Sequence, residues 1–211
     1  MRRLVAAFLC CVALSACTAK PPPKSESGSG VDVDTPALRA LKAAAHVATC
    51  VPGTAGHAVG LTALPRITLP CLGGGPSVDL SRLRGPMVIN LFASWCGPCR
   101  AELPYYQKLS RLGAGKVRVL GIDYDDQQPD QALGLVRATG VTYPLLADPV
   151  TNLKAAFHRP GRTSPVVVLG LPGIAFVDSV GTVTQFELTR ITSYAELRTM
   201  VAANLGVHLP K

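Results

Sequence analysis

The segment Trp95-Cys96-Gly97-Pro98-Cys99 constrains this 211-residue chain more than any other. It follows directly on the apolar run Val88-Ile89-Asn90-Leu91-Phe92 and precedes a stretch of helical character. The two thiols are therefore expected where a strand turns into the first turn of a helix. Cysteines with two residues between them in such a turn can bring their sulfurs within bonding distance and part again without unfolding the domain. Cys96 is expected at the helix N-terminus, where unpaired amides and the helix dipole favour a thiolate and lower its pKa below the usual ~8.5. That makes Cys96 the nucleophile. Pro98 suits a first turn because it has no amide proton to leave unbonded, and it limits the freedom of the loop between the sulfurs. Cys99 is then the resolving thiol: it displaces the mixed disulfide that Cys96 forms with a substrate, and oxidation runs the same steps backwards. A zinc site would need two further Cys or His ligands at comparable spacing, and haem attachment a His where this chain has Arg100.

Around the motif, strand-like apolar runs at 87–92, 116–122 and 174–177 alternate with helix candidates at 97–111, 128–139, 152–157 and 193–204, and 182–188 alternates as a closing strand. This order gives an α/β fold. Upstream, Ile67-Thr68-Leu69 is the first strand signal, and Gly and Pro recur through Pro52, Gly53, Gly56, Gly60 and Pro65 before it. Pro36 suits the first position of a short helix reaching Ala48. The compact domain is expected over 61–211, behind an irregular extension and a Pro/Ser/Gly linker over 18–60. The stretch from Pro21-Pro22-Pro23 to Gly30 is too poor in apolar residues to bury a core.

Met1-Arg2-Arg3 precedes an uncharged apolar run of thirteen residues, Leu4 to Ala16. That is the pattern of a secretory leader, and it is short of the about 20 residues of a membrane span. Its end, Leu14-Ser15-Ala16-Cys17, resembles the bacterial lipobox. The reading is a signal peptide over 1–17 with Cys17 as the lipidated residue. Ordinary cleavage nearby, or retention of the leader as an anchor, stay open, and all three place the domain outside the cell membrane. Of seven cysteines, Cys10 and Cys11 leave with the leader and Cys17 goes to lipid, so Cys50, Cys71, Cys96 and Cys99 remain. An even number in an exported chain favours two pairs. A Cys50–Cys71 bond would fasten the Gly/Pro-rich segment as a structural disulfide; a second redox centre is the alternative. The net charge of +8 is spread over single positions such as Arg82, Arg84, Arg100, Arg111 and Arg118, with no run that would track a phosphate backbone, so nucleic acid is not an expected partner. His46, His57, His158 and His208 form no ligand pattern, and neither metal nor cofactor is expected.

Two stretches carry a family likeness: Val78-Asp79-Leu80-Ser81-Arg82-Leu83-Arg84-Gly85, and Val88 through Trp95-Cys96-Gly97-Pro98-Cys99-Arg100-Ala101-Glu102-Leu103-Pro104. On them the chain, from about Leu61 to Leu205, resembles the thioredoxin superfamily, and within it the membrane-anchored extracytoplasmic thioredoxin-like (ResA/TlpA-type) thiol-disulfide oxidoreductases. The resemblance implies a thioredoxin-like fold with a central mixed sheet and flanking helices. It implies reduction of disulfides in exported proteins such as apocytochrome c, with electrons from a transmembrane donor of the CcdA/DsbD type. It also implies a cis-proline facing the sulfurs. Pro172, in Gly170-Leu171-Pro172-Gly173, is the candidate and Pro165 its competitor. The backbone of Leu171 would pair with an extended substrate strand, and Trp95 would offer an apolar platform. Glu102 matches a functional glutamate of the ResA-like branch, one helical turn beyond Cys99. If partly buried it would have a raised pKa and take the proton of Cys99; the other reading is a plain surface glutamate. Pro104 would kink the helix. The chain departs from the classical pattern in having Asn90 where a buried Asp relays protons, and in a longer stretch from Phe157 to Leu171. Two other functions stay open: a disulfide oxidase, and a non-catalytic surface-binding or copper-chaperone lipoprotein, which would need His or Met beside the thiols.

Overall fold

The computed structural model describes residues 30–211. The expected leader over 1–17, Cys17 and the linker as far as Ser29 lie outside the described residues. In chain order the elements are α1 (Pro36–Ala44), β1 (Thr68–Leu69), β2 (Val78–Asp79), β3 (Met87–Phe92), α2 (Gly97–Leu112), β4 (Arg118–Tyr124), α3 (Pro129–Thr139), β5 (Leu145–Asp148), β6 (Phe157–His158), β7 (Pro165–Val166), β8 (Gly173–Val177), β9 (Val183–Glu187) and α4 (Tyr194–Leu205).

Five strands form the central sheet in the order β5-β4-β3-β8-β9. β3 runs parallel to β4, and β4 to β5; β8 is antiparallel to both β3 and β9. Every residue of β3 and β8 is buried, which is why both read as unbroken apolar runs rather than alternating ones. The connections β3-α2-β4 and β4-α3-β5 step the same way across the sheet, and right-handed crossovers place both helices on one face. There α1 packs on α3 and α4 on α2, over a core that includes Val88, Phe92, Leu103, Tyr106, Val136 and Val201. The opposite face, with Ile89, Leu91, Ile122 and Ala175, is covered by Leu69, Leu80 and Phe157 from the short strands and loops. Phe157 stacks on Phe186 there, ring centroids 4.5 Å apart. The fold is the mixed α/β, thioredoxin-like architecture that the sequence leads one to expect.

One expectation, a helix over 152–157, is corrected, and two features lie outside the sequence reading. Val33, Leu38, Ala45 and Val47 belong to the helix-side core, so packed structure begins well upstream of Leu61. Residues 152–157 form no helix. The buried carboxylate of Asp148 takes the amides of Asn152 (2.8 Å) and Leu153 (2.9 Å) instead, Thr151 sits at φ 58°, and the chain turns into β6. Between Pro144 and Pro149, the run Leu145-Leu146-Ala147 is too short for its periodicity to announce β5, yet it is the parallel edge of the sheet.

Cys50 and Cys71 are joined in a disulfide with Cα atoms 6.0 Å apart, and both are 1% exposed. The bond ties the irregular segment after α1 to the edge of the sheet, where Cys71 bridges to Leu146. For a closed loop of this length the constraint on the unfolded chain is worth about 3 kcal/mol. Replacing both cysteines by alanine is expected to lower the unfolding free energy by that amount in urea titrations. A loss below about 0.5 kcal/mol would show that the unfolded chain is not constrained there.

Candidate active site

β3 ends at Phe92, the chain turns through Ala93-Ser94-Trp95, and α2 begins at Gly97 with Cys96 as its N-cap. Cys96 has an extended backbone (φ −81°, ψ 99°), and its Sγ accepts the amide of Cys99 at 3.2 Å. The first turn of α2 thus directs an unpaired amide at one of the two sulfurs, the capping arrangement that stabilises negative charge. Cys96 and Cys99 form a disulfide, Cα atoms 5.3 Å apart, buried at 3% and 2% exposure. Gly97 and Pro98 between them are exposed, so the covering over the sulfurs is thin.

The loop ahead of Cys96 is held from β4. The Ser94 amide donates to Asp126 Oδ2 at 2.6 Å, and Trp95 Nε1 donates to the Asp125 carbonyl at 3.0 Å. Asp125 adopts φ 55°, and Asp126 Oδ1 also accepts the amide of Gln128 just before α3. Asp123, at the end of β4 opposite Phe92, is 2% exposed. Burial and the neighbouring Asp126 charge push its carboxyl well above the usual range. None of these aspartates is singled out by the sequence pattern. The signal that would have found them is Asp123, Asp125 and Asp126 clustered at the end of a strand parallel to the one that feeds the motif.

The Leu171–Pro172 bond is cis, whereas the bond before Pro165 is not. A second cis bond, Gly85–Pro86, has no counterpart in the sequence reading. Because Gly173 pairs with Leu91, the antiparallel register brings Pro172 beside the end of β3 from which the Cys96 loop departs. Trp95, 54% exposed, and Leu171 line one groove of about 190 Å3, together with Tyr124, Lys154 and Leu169. Trp95 is therefore a surface platform rather than a core residue.

Glu102 is no surface glutamate: it is 1% exposed. Its Oε1 accepts the Ile191 amide at 2.9 Å, while Oε2 has no hydrogen-bond partner. Burial raises its pKa to about 7, partly offset by the Ile191 bond. It lies on the face of α2 one turn beyond Cys99. Asn90 is buried on β3 with Oδ1 unpartnered, and Pro104 sits inside α2. His57 Nδ1 is bonded to Ser81 Oγ (2.6 Å), far along the chain from the motif. Among the described residues no group of three or more His, Cys, Asp or Glu could hold a metal ion.

A buried acid whose folded pKa lies above its unfolded value stabilises the fold fully below the unfolded pKa, and that contribution is lost as pH rises through the folded pKa. For Glu102 the loss runs from about pH 4.5 to just above 7. Unfolding free energies measured from pH 5 to 8.5 are expected to show Glu102→Gln gaining on the wild type with rising pH, by up to about 3 kcal/mol. Parallel profiles for the two proteins would place the Glu102 carboxylate in water.

Comparison with known proteins agrees with this geometry. The model of the AhpC/TSA family matches residues 61–186. The thiol:disulfide interchange protein HelX of Rhodobacter capsulatus is 32% identical over 130 residues, 60% of this chain and 64% of HelX. The thiol:disulfide interchange protein DsbE of Haemophilus influenzae is 36% identical over 98 residues, 46% of this chain and 48% of DsbE. The matched region thus spans less than two thirds of either relative. A secreted thiol-disulfide isomerase from Corynebacterium glutamicum superposes with TM-score 0.54 at 26% identity, covering 67% of this chain and 81% of that one.

Proposed function

The chain belongs to the AhpC/TSA family, and from that premise we propose that it is an extracytoplasmic thiol-disulfide oxidoreductase that reduces disulfides in exported proteins. The observation that carries this reading is the Cys96–Cys99 disulfide across the first turn of α2, with the Cys99 amide directed at Cys96 Sγ. In the reduced protein the Cys96 thiolate attacks a client disulfide and expels one client thiolate. Cys99 then attacks Cys96 Sγ in the mixed disulfide, releases the second client thiolate and restores the Cys96–Cys99 bond. Two electrons pass to the client. Cys99 must shed its proton for that second attack, and Glu102, with a pKa of about 7, is suited to take it. Asn90 has no acidic or basic group with which to do so.

Client recognition rests on the exposed Trp95 ring and on the backbone of Leu171 beside cis-Pro172. An extended segment can pair with that backbone and bring its cysteine to Cys96. The likeness to the ResA/TlpA type points to apocytochrome c as the kind of client and to a transmembrane donor of the CcdA/DsbD type as the source of electrons. The names of HelX and DsbE, thiol:disulfide interchange proteins, support the same chemistry. A lipid on Cys17 would keep the domain at the outer face of the membrane, within reach of both partners.

Mixing reduced protein with a disulfide-bearing peptide of the c-type haem motif, Cys-X-X-Cys-His, tests the reading. Cys99→Ser is expected to accumulate a covalent adduct through Cys96, the wild type to turn over without one, and Cys96→Ser to form none. Adducts on Cys99 in Cys96→Ser, at a rate equal to the first, would overturn the assignment of roles. Glu102→Gln is expected to slow adduct resolution by about a hundredfold and to remove the pH dependence centred near 7.

A further inference from the structure

The second disulfide is surrounded by groups that suit its reduced form. Cys71 Sγ lies 2.9 Å from the Nζ of Lys42, whose other partner is the Gly74 carbonyl at 2.6 Å. Lys42 is 8% exposed on α1, and among the described residues no carboxylate bonds to it; Asp34, whose charge acts on it, is engaged by Arg39. A buried ammonium without a directly bonded counter-charge is costly, and a thiolate on Cys71 would supply one. The other sulfur has the complementary neighbour. Cys50 Sγ is 3.1 Å from the Leu145 carbonyl, an acceptor that a thiol proton can use and a disulfide cannot.

Both cysteines are 1% exposed, but what lies beside them differs. Cys50 lines an apolar cavity of about 260 Å3 at the starts of β3 and β4, the end of the sheet away from Cys96. Exposed Val51, Ala114 and Gly115 border it. Cys71 is shut in by the loop Gly73-Gly74-Gly75. A side chain on Gly73 would put its Cβ 2.9 Å from Lys42 Cβ, and one on Gly75 would reach 3.4 Å from Cys71 Sγ.

We propose that Cys50–Cys71 is a second thiol-exchange site, opened by a small thiol or dithiol that attacks Cys50 and expels Cys71 as a thiolate onto Lys42. The incoming thiolate forms a bond to Cys50 Sγ as the Cys50–Cys71 bond breaks, and the electron pair leaves on Cys71 Sγ. With a dithiol, its second thiolate then attacks the reductant sulfur bound to Cys50; that bond breaks, its electron pair leaves on Cys50 Sγ, and the reductant departs as a disulfide. Cys50 takes up a proton, and the resulting thiol donates a hydrogen bond to the Leu145 carbonyl. Two electrons have moved from the dithiol to the protein. Reduction removes the tie between the segment after α1 and the sheet, so the redox state of this pair sets how firmly that segment is held.

The test uses the full chain equilibrated in dithiothreitol redox buffers, with each cysteine followed by differential alkylation and peptide mass spectrometry and the fold by circular dichroism. The pair is expected to open while the native spectrum persists. Lys42→Met is expected to shift its equilibrium at least about tenfold toward the disulfide, Lys42→Arg to stay within about threefold of wild type, and neither to move Cys96–Cys99. Opening only as the spectrum collapses, or an unmoved equilibrium in folded Lys42→Met, would overturn the proposal. Should Lys42→Met fail to fold, the wild type exposed to glutathione decides: an adduct on Cys50 with Cys71 free supports it, and an adduct on Cys71 refutes it.

Discussion

The reactive end of this molecule depends on one hydrogen bond, from the amide of Cys99 to the sulfur of Cys96. It exists because the chain leaves β3 buried and extended, turns within four residues and starts α2 at Gly97. A helix begins with amides that have no internal partner, and here the capping atom that receives one of them is also the sulfur proposed as the nucleophile. The same interaction that starts the helix therefore biases charge toward Cys96 rather than Cys99. What surrounds it keeps the cap in place: Asp126 grips the Ser94 amide, the Asp125 carbonyl grips the Trp95 indole, and β8 delivers cis-Pro172 alongside.

The buried acids follow from that placement. A sheet whose central strands are covered on both faces leaves little water at the end of β4 or along the inner face of α2, so Asp123 and Glu102 both hold their protons more tightly than exposed carboxyls. They are not equivalent. Asp123 lies beside Asp126, a carboxylate already engaged by the amides of Ser94 and Gln128. Glu102 has one oxygen tied to Ile191 and the other unpartnered, with a pKa of about 7, which leaves it able to gain and lose a proton under ordinary conditions.

The motif, the strand before it and the helix after it were legible in the sequence because each is a local pattern: an apolar run, a Cys-X-X-Cys turn, a stretch that continues as helix. β3 falls at the residues that pattern indicates, and α2 ends within one residue of them. The pairing of Cys50 with Cys71 followed from counting. What stayed hidden depends on contacts distant along the chain. β5 is only four residues long and owes its existence to β4. The 152–157 stretch has helix-forming residues that the buried Asp148 carboxylate overrides. Val33 and Leu38 read as part of an extension until α3 is seen packed against α1. Whether Glu102 was buried could not be read from one helical turn, because the amide that holds its carboxylate belongs to Ile191, 89 residues further along the chain.

The central claim is that the Cys96–Cys99 pair is a reversible dithiol poised to give electrons. Its reduction potential tests that claim most directly, measured in glutathione and dithiothreitol buffers on a soluble chain beginning near Gly30, ahead of the core residue Val33, with the two motif cysteines distinguished from Cys50 and Cys71 by alkylation. The account predicts a value near that of thioredoxin, about −270 mV. A value near that of the strong oxidant DsbA, about −120 mV, would contradict it and make the protein a donor of disulfides.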